Sequence, residues 1–116
     1  MMFNLDEIEE QQTENNDLEE VVMGLIINAG QARSFAFGAL KQAKSGDFTE
    51  ANNLMEKSRI ALSEAHRVQT QLIESDEGEG KIKVSLVMVH AQDHLMTAIL
   101  LRELVGELIE LHQKIQ

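Results

Sequence analysis

At about 100° per residue, the apolar positions from Leu86 to Leu111 sort onto two opposite sides of one helix. Leu86, Val89, Met96, Leu100, Leu104 and Leu111 share one side with Asp93 and Thr97; Val84, Val87, Met88, Ala91, Leu95, Ala98, Ile99, Val105 and Ile109 occupy the other. A helix that is apolar on two faces is buried on two faces. Three helices from so short a chain cover only one of them. The first stripe also steps 86, 89, 93, 96, 100, the three-four alternation of a coiled-coil seam. It predicts self-association through this helix, with Asp93 at a seam position where carboxylates of symmetry-related chains converge.

The rest of the chain supplies two further helices. The first is expected to begin near Asn16, with Glu19 completing a capping box, and to run through EEVVMGLIINAGQARSFAFGALKQAKSG. Gly46 stops it in the left-handed region, and Asp47 followed by Glu50 repeats the cap signature for DFTEANNLMEKSRIALSEAHRVQTQLIES. So tight a link makes the two helices antiparallel neighbours. DEGEGK, residues 76–81, reads as a mobile loop, and the third helix is expected from about Ile82 onward. Gly24, Gly30 and Gly38 interrupt the first helix at about 1 kcal/mol each relative to alanine, and close helix packing is the expected reason. Residues 1–15, acidic and Gln/Asn-rich, read as a flexible tail, and residues 16–116 as a single domain.

Composition agrees with an all-α class, an antiparallel three-helix bundle. Proline, tyrosine and tryptophan are absent and helix formers dominate. The formal charge of -10 opposes binding to nucleic acid or anionic lipid. Without cysteine there is no disulfide framework, thiolate metal site or cysteine nucleophile. MMFNLDEIEEQQTENN lacks the features of a signal peptide, and no apolar run approaches the roughly 18 residues of a membrane span. A soluble, cytoplasmic protein without direct membrane insertion is expected.

The chemistry lies in VMVHAQDHLMTAILL, residues 87–101. Ionisable groups in such a stretch cost free energy unless they are paired, liganded or used. About 60° and 100° from Asp93 on one flank stand His90 and His94, while Gln92 points to the other shoulder. An i, i+4 histidine pair with a carboxylate between is a candidate zinc ligand set. HAQDH, however, lacks the glutamate of a metallohydrolase, and no serine has a nucleophile-elbow context. His66 and His112 have no such companions and read as ordinary structural residues. A nucleophilic histidine remains, since a neutral imidazole at an accessible edge can take up a phosphoryl group and pass it on. Converging Asp93 carboxylates would either take up protons or hold a cation.

LEEVVMGLIINAGQARS, the GEGK loop and KVSLVMVHAQDHLMTAILLRELVGELIELH together closely resemble the lactose/cellobiose-type IIA component of the bacterial phosphoenolpyruvate-dependent sugar phosphotransferase system. LEEVVMGLIIN and VSLV favour its cellobiose/chitobiose branch. The resemblance implies a three-helix subunit in a homotrimeric nine-helix bundle, phosphorylated on His90, with Gln92 and His94 in supporting roles. It also implies that Asp93 meets its copies on the threefold axis and binds one divalent cation per trimer, Mg2+ in the usual case. The partners implied are the histidine phosphocarrier protein as donor and a cysteine of a cognate IIB component as acceptor, serving uptake of a β-linked disaccharide such as cellobiose or chitobiose. The competing expectation is a non-catalytic, metal-binding helical oligomerisation or regulatory module.

Overall fold

The computed structural model describes residues 5–116, with side chains from residue 17 onward. It consists of α1 (Leu5–Lys44), α2 (Phe48–Asp76) and α3 (Leu86–Ile115), with no strand among the described residues. The all-α class and the three-helix order expected from the sequence are both present. α1 packs along both other helices, and these meet each other less extensively.

The helix ends show which local signals prevail. Asp47 caps α2, its carboxylate accepting the Glu50 amide at 3.1 Å. Gly46 before it turns at φ +87°, a conformation that costs glycine little. The start of α1 departs from expectation, because Asn16 lies inside the helix and not at its cap. Residues 5–15 contain no Gly or Pro to stop the helix and are rich in Glu and Gln, so helical conformation continues through them. Of the segment expected as a tail, residues 1–4 lie outside the described residues.

α3 also starts later than the expected Ile82. Ser85 adopts an extended conformation and its hydroxyl accepts the Met88 amide at 3.2 Å. A serine expected inside a helix is thus its N-cap, satisfying one of the amides that the first turn leaves unpaired. Asp76 ties the preceding loop to α2, accepting from Ile82 N–H at 2.9 Å and Gly80 N–H at 3.2 Å. These amides, the Ile82 one foremost, hold its carboxyl below the ordinary carboxylate range.

Two clusters form the core. Val22, Leu25, Ala65, Met88, Ala91 and Leu95 fill the end near the Asp76 loop, while Ala36, Ala39, Ala43, Ala51, Val105 and Ile109 fill the other. Alanine, not glycine, brings the helices close: Ala29, Ala32, Ala36, Ala39 and Ala43 form a fully buried i, i+3/i+4 stripe on α1. Against that stripe the buried Ser58 hydroxyl donates to the Ala32 carbonyl at 2.7 Å. The expectation that glycines serve close packing is corrected here. A Cβ at Gly24 or Gly30 would meet nothing within 4 Å, and one at Gly38 would make ordinary contact with Leu54 at 3.5 Å.

On α3 the two stripes separate as the periodicity requires. Met88, Ala91, Leu95, Ala98, Val105 and Ile109 are buried against the other helices. Val84 and Val87, expected on that side, are exposed, Val84 because it precedes the helix. The seam stripe stays open, with Leu100 56% and Leu104 53% exposed, alongside Val89, Met96 and Leu111.

Candidate functional site

Ser85 fixes the start of α3, and with it the rotational setting of the next two turns. His90 therefore stands exposed on one flank of the open stripe, with His94 half-buried one turn later. Their rings meet edge to face at 85°, centroids 4.3 Å apart, and their Nε2 atoms are 3.0 Å apart. One of the two must carry the shared proton, so the pair is a matched donor and acceptor. Thr97 buttresses this turn, its hydroxyl donating to the Asp93 carbonyl at 2.8 Å and the His94 carbonyl at 3.2 Å.

Asp93 lies exposed on the open stripe, between the histidine flank and the Gln92 shoulder. Among the described residues its carboxylate enters no ion pair, and no group of three His, Cys, Asp or Glu side chains is gathered for a metal. The single subunit thus brings the imidazoles together without adding Asp93 to them. His66, exposed on α2, and His112, half-buried near the end of α3, do not join the pair.

Gln92 points the other way, toward α2. Its side-chain oxygen accepts from Gln69 Nε2 at 2.5 Å, and its Nε2 faces Met88 Sδ at 4.0 Å. Gln69 Nε2 also faces Met96 Sδ at 3.9 Å. Sequence reasoning missed Gln69: nothing in the spacing of α2 reveals a partner 23 positions away. Beside Gln92 a shallow, mostly apolar groove runs between α2, the Asp76 loop and α3, lined by Leu72, Ile73, Ile82, Met88 and Val89.

The electrostatics are notable for where the basic residues go. Arg59 pairs with Glu56 at 2.6 Å, Arg67 with Glu64 at 2.5 Å and Lys81 with Glu77 at 2.7 Å, all on exposed surface. Each arginine draws its glutamate below the usual carboxylate range, chiefly through the hydrogen bond between them. No hydrogen bond or ion pair from Lys or Arg reaches His90, Gln92, Asp93 or His94 among the described residues.

An antiparallel helical subunit with an open apolar seam and an exposed imidazole pair at its edge defines a class of protein that works on a partner's surface. The groove beside Gln92 is open and not enclosed as a small-substrate pocket is. The family model described as "PTS system, Lactose/Cellobiose specific IIA subunit" matches residues 20–113, and the chain belongs to that family. It is a IIA component of the phosphotransferase system, a carrier in the phosphoryl relay of sugar uptake.

Among its relatives, the N,N'-diacetylchitobiose-specific EIIA component of Escherichia coli K12 is 68% identical over 115 residues, 99% of each chain. The lichenan-specific IIA component of Bacillus subtilis is 42% identical over 101 residues, 87% of this chain and 92% of that one. Of solved structures, a subunit of the Escherichia coli IIA(Chitobiose)-HPr complex superposes with TM-score 0.75 at 71% identity, covering 84% of this chain and 95% of that one. The cellobiose-specific enzyme IIA of Bacillus anthracis gives 0.80 at 46% identity, with coverage of 84% and 89%. No helix among the described residues is long and apolar enough to cross a membrane.

Proposed function

We propose that His90 is the residue on which this IIA component carries its phosphoryl group, and that the group serves uptake of N,N'-diacetylchitobiose. The observation that carries the site assignment is the exposed His90 ring engaged through Nε2 by His94 at 3.0 Å. The sugar assignment rests on 68% identity to the chitobiose-specific component, against 43% to the cellobiose-specific one of Lactococcus lactis. The donor is a histidine phosphocarrier protein, the partner in the superposed complex. The acceptor is a cysteine of a cognate IIB component, met in the cytoplasm.

The transfer follows from the pair. With the proton on His94 Nε2, the Nε2 lone pair of His90 accepts it in the resting pair and is released to attack phosphorus in line when the donor docks. The P–N bond of the donor breaks, its electron pair returns to the donor ring, and that ring takes up a proton as His90 Nδ1 releases one to solvent. His94 Nε2–H, no longer facing a lone pair, is placed to donate to a phosphoryl oxygen. In the second transfer the IIB thiolate attacks phosphorus, the P–N bond to His90 breaks with its electron pair returning to the His90 ring, and that ring takes a proton back from solvent.

The open stripe supports a homotrimer built around α3, in all a nine-helix bundle. In it each subunit's histidine flank faces its neighbour's Gln92 shoulder, because the two lie on opposite sides of Asp93. The unpaired carboxylate of Asp93 suits a divalent cation on the axis, Mg2+ by its preference for carboxylate oxygen. Three Asp93 side chains would hold it, and when bound it supplies charge neutralisation among carboxylates.

Incubation with phosphoenolpyruvate and the general phosphotransferase proteins should add one acid-labile phosphoryl group per subunit, read by mass. His90→Gln should abolish the label, and His94→Gln should slow it. Normal labelling of His90→Gln would refute the assignment. Uptake assays with the cognate permease, comparing N,N'-diacetylchitobiose and cellobiose, test the sugar.

A further inference from the structure

Gln69, on a different helix from the motif, is the only side chain among the described residues that hydrogen-bonds the oxygen of Gln92. Both residues are half-buried, so the bond is partly shielded from water. The amide orientations are mutually consistent. Gln69 offers one N–H to Gln92 Oε1 and turns its NH2 group toward Met96 sulfur, while the Gln92 NH2 group faces Met88 sulfur. Reversing the Gln92 amide would set its NH2 against the Gln69 NH2, donor against donor, and put its oxygen beside a thioether that donates nothing. The arrangement therefore holds Gln92 with its acceptor occupied and its NH2 group facing only the weak sulfur acceptor of Met88.

We propose that Gln69 is a positioning residue of the phosphoryl site: by holding the Gln92 oxygen, it presents the Gln92 NH2 group as a hydrogen-bond donor to the phosphoryl group on His90 of the neighbouring subunit. This rests on the carrier and trimer reading given above. It explains why α2, which contributes no residue to the histidine motif, reaches α3 at Gln92 through a side-chain amide and not an apolar contact. It also assigns Gln92 one chemical sense, donor and not acceptor, which is the sense that an anionic phosphoryl group requires.

The test is a double-variant cycle on the full chain, read as the single-turnover rate of phosphoryl uptake from the phosphorylated donor at saturating concentration. Gln92→Leu should slow uptake by about tenfold or more, the loss of one hydrogen bond to a charged group. Gln69→Leu should slow it by roughly threefold to tenfold, since the donor survives but loses its orientation. Combining the two should give the rate of Gln92→Leu alone, because Gln69 acts only through Gln92. The donor concentration at half-maximal rate should stay that of the parent. Gln69→Glu keeps the shape but replaces donor by acceptor, so it should turn the Gln92 amide over and slow uptake at least as much as Gln69→Leu; it carries the test by itself if the leucine variant fails to fold. The side-chain 15N–1H resonances of Gln92 should shift in both Gln69 variants.

A parent rate in Gln69→Leu and Gln69→Glu, or rates that multiply in the double variant, would overturn the proposal for Gln69 while leaving His90 in place. Failure of the parent to label, or labelling of His90→Gln, would instead overturn the underlying reading. Light scattering on every variant separates a lost trimer from a lost orientation.

Discussion

Replacing Leu100 by aspartate puts the open stripe of α3 to a quantitative test. Within one subunit Leu100 leaves 56% of its surface exposed. Fully burying a leucine stabilises by about 1.5–3 kcal/mol, so covering what remains is worth roughly 1–1.5 kcal/mol per chain. Three copies give about 3–4.5 kcal/mol per trimer, or two to three orders of magnitude in the association constant. Leu100→Asp removes that term and sets like charges near one another, so both effects act in one direction. The subunit core should be untouched, because Leu100 belongs to neither of its clusters. Sedimentation over a range of concentrations should show the parent trimeric where the variant is monomeric, with helical circular dichroism retained. A variant that stays trimeric down to the parent's dissociation range would show that the stripe is not the interface.

Asp93→Leu should keep the proposed trimer and remove the proposed axial ion, since replacing mutually repelling carboxylates by an apolar group is often neutral or stabilising; metal analysis finding the same ion content in parent and variant would refute the assignment. Gly30→Ala should raise stability by up to about 1 kcal/mol, because the added methyl meets nothing within 4 Å and alanine favours the helix; a lower midpoint in urea would show that an unseen surface packs there. For Asp76 the folded-state pKa is depressed by the Ile82, Gly80 and Lys81 amides. Its contribution is therefore fully present above the unfolded value of about 3.9 and lost as pH falls through the lower folded value. Amide exchange at Gly80 and Ile82 should accelerate only below about pH 4, and Asp76→Asn should flatten that dependence.

Much of this was legible because helical periodicity is a strong signal. The buried and open stripes of α3, the Asp47 cap and the Gly46 turn each follow from side-chain spacing or from one backbone preference, and both are local. The start of α1 was misplaced because capping signatures at Asn16 compete with the helix propensity of what precedes them, and nothing there stops the helix. Ser85 was misread because Ile82 and Val84 before it extend the apolar pattern of the helix, while the hydroxyl that ends the extended stretch acts through a single hydrogen bond. The glycine explanation failed because sequence shows where a side chain is missing and not what faces the gap. At the site, the His90–His94 contact is an i, i+4 relation and so is visible in the sequence. Gln69–Gln92 depends on how α2 and α3 are set against each other, which no spacing within one helix records.

The distribution of charge bears on why such a site suits a relay. A bidentate arginine would hold a phosphoryl group through short, charge-assisted hydrogen bonds of roughly twice the ordinary strength. That interaction would stabilise the loaded carrier and raise the barrier to handing the group on. In this subunit Arg59 and Arg67 are engaged by Glu56 and Glu64, and the group beside His90 is the His94 imidazole, joined by a neighbour's Gln92 in the trimer proposed above. Neutral donors orient a phosphoryl group while stabilising it less than a guanidinium would. The strong positive charge needed in the transition state is then free to come from whichever partner is docked, donor or acceptor. An acidic carrier with a net charge of -10 would gain from that division of labour, because complementary charge on a partner would speed encounter without deepening the resting state of the cargo.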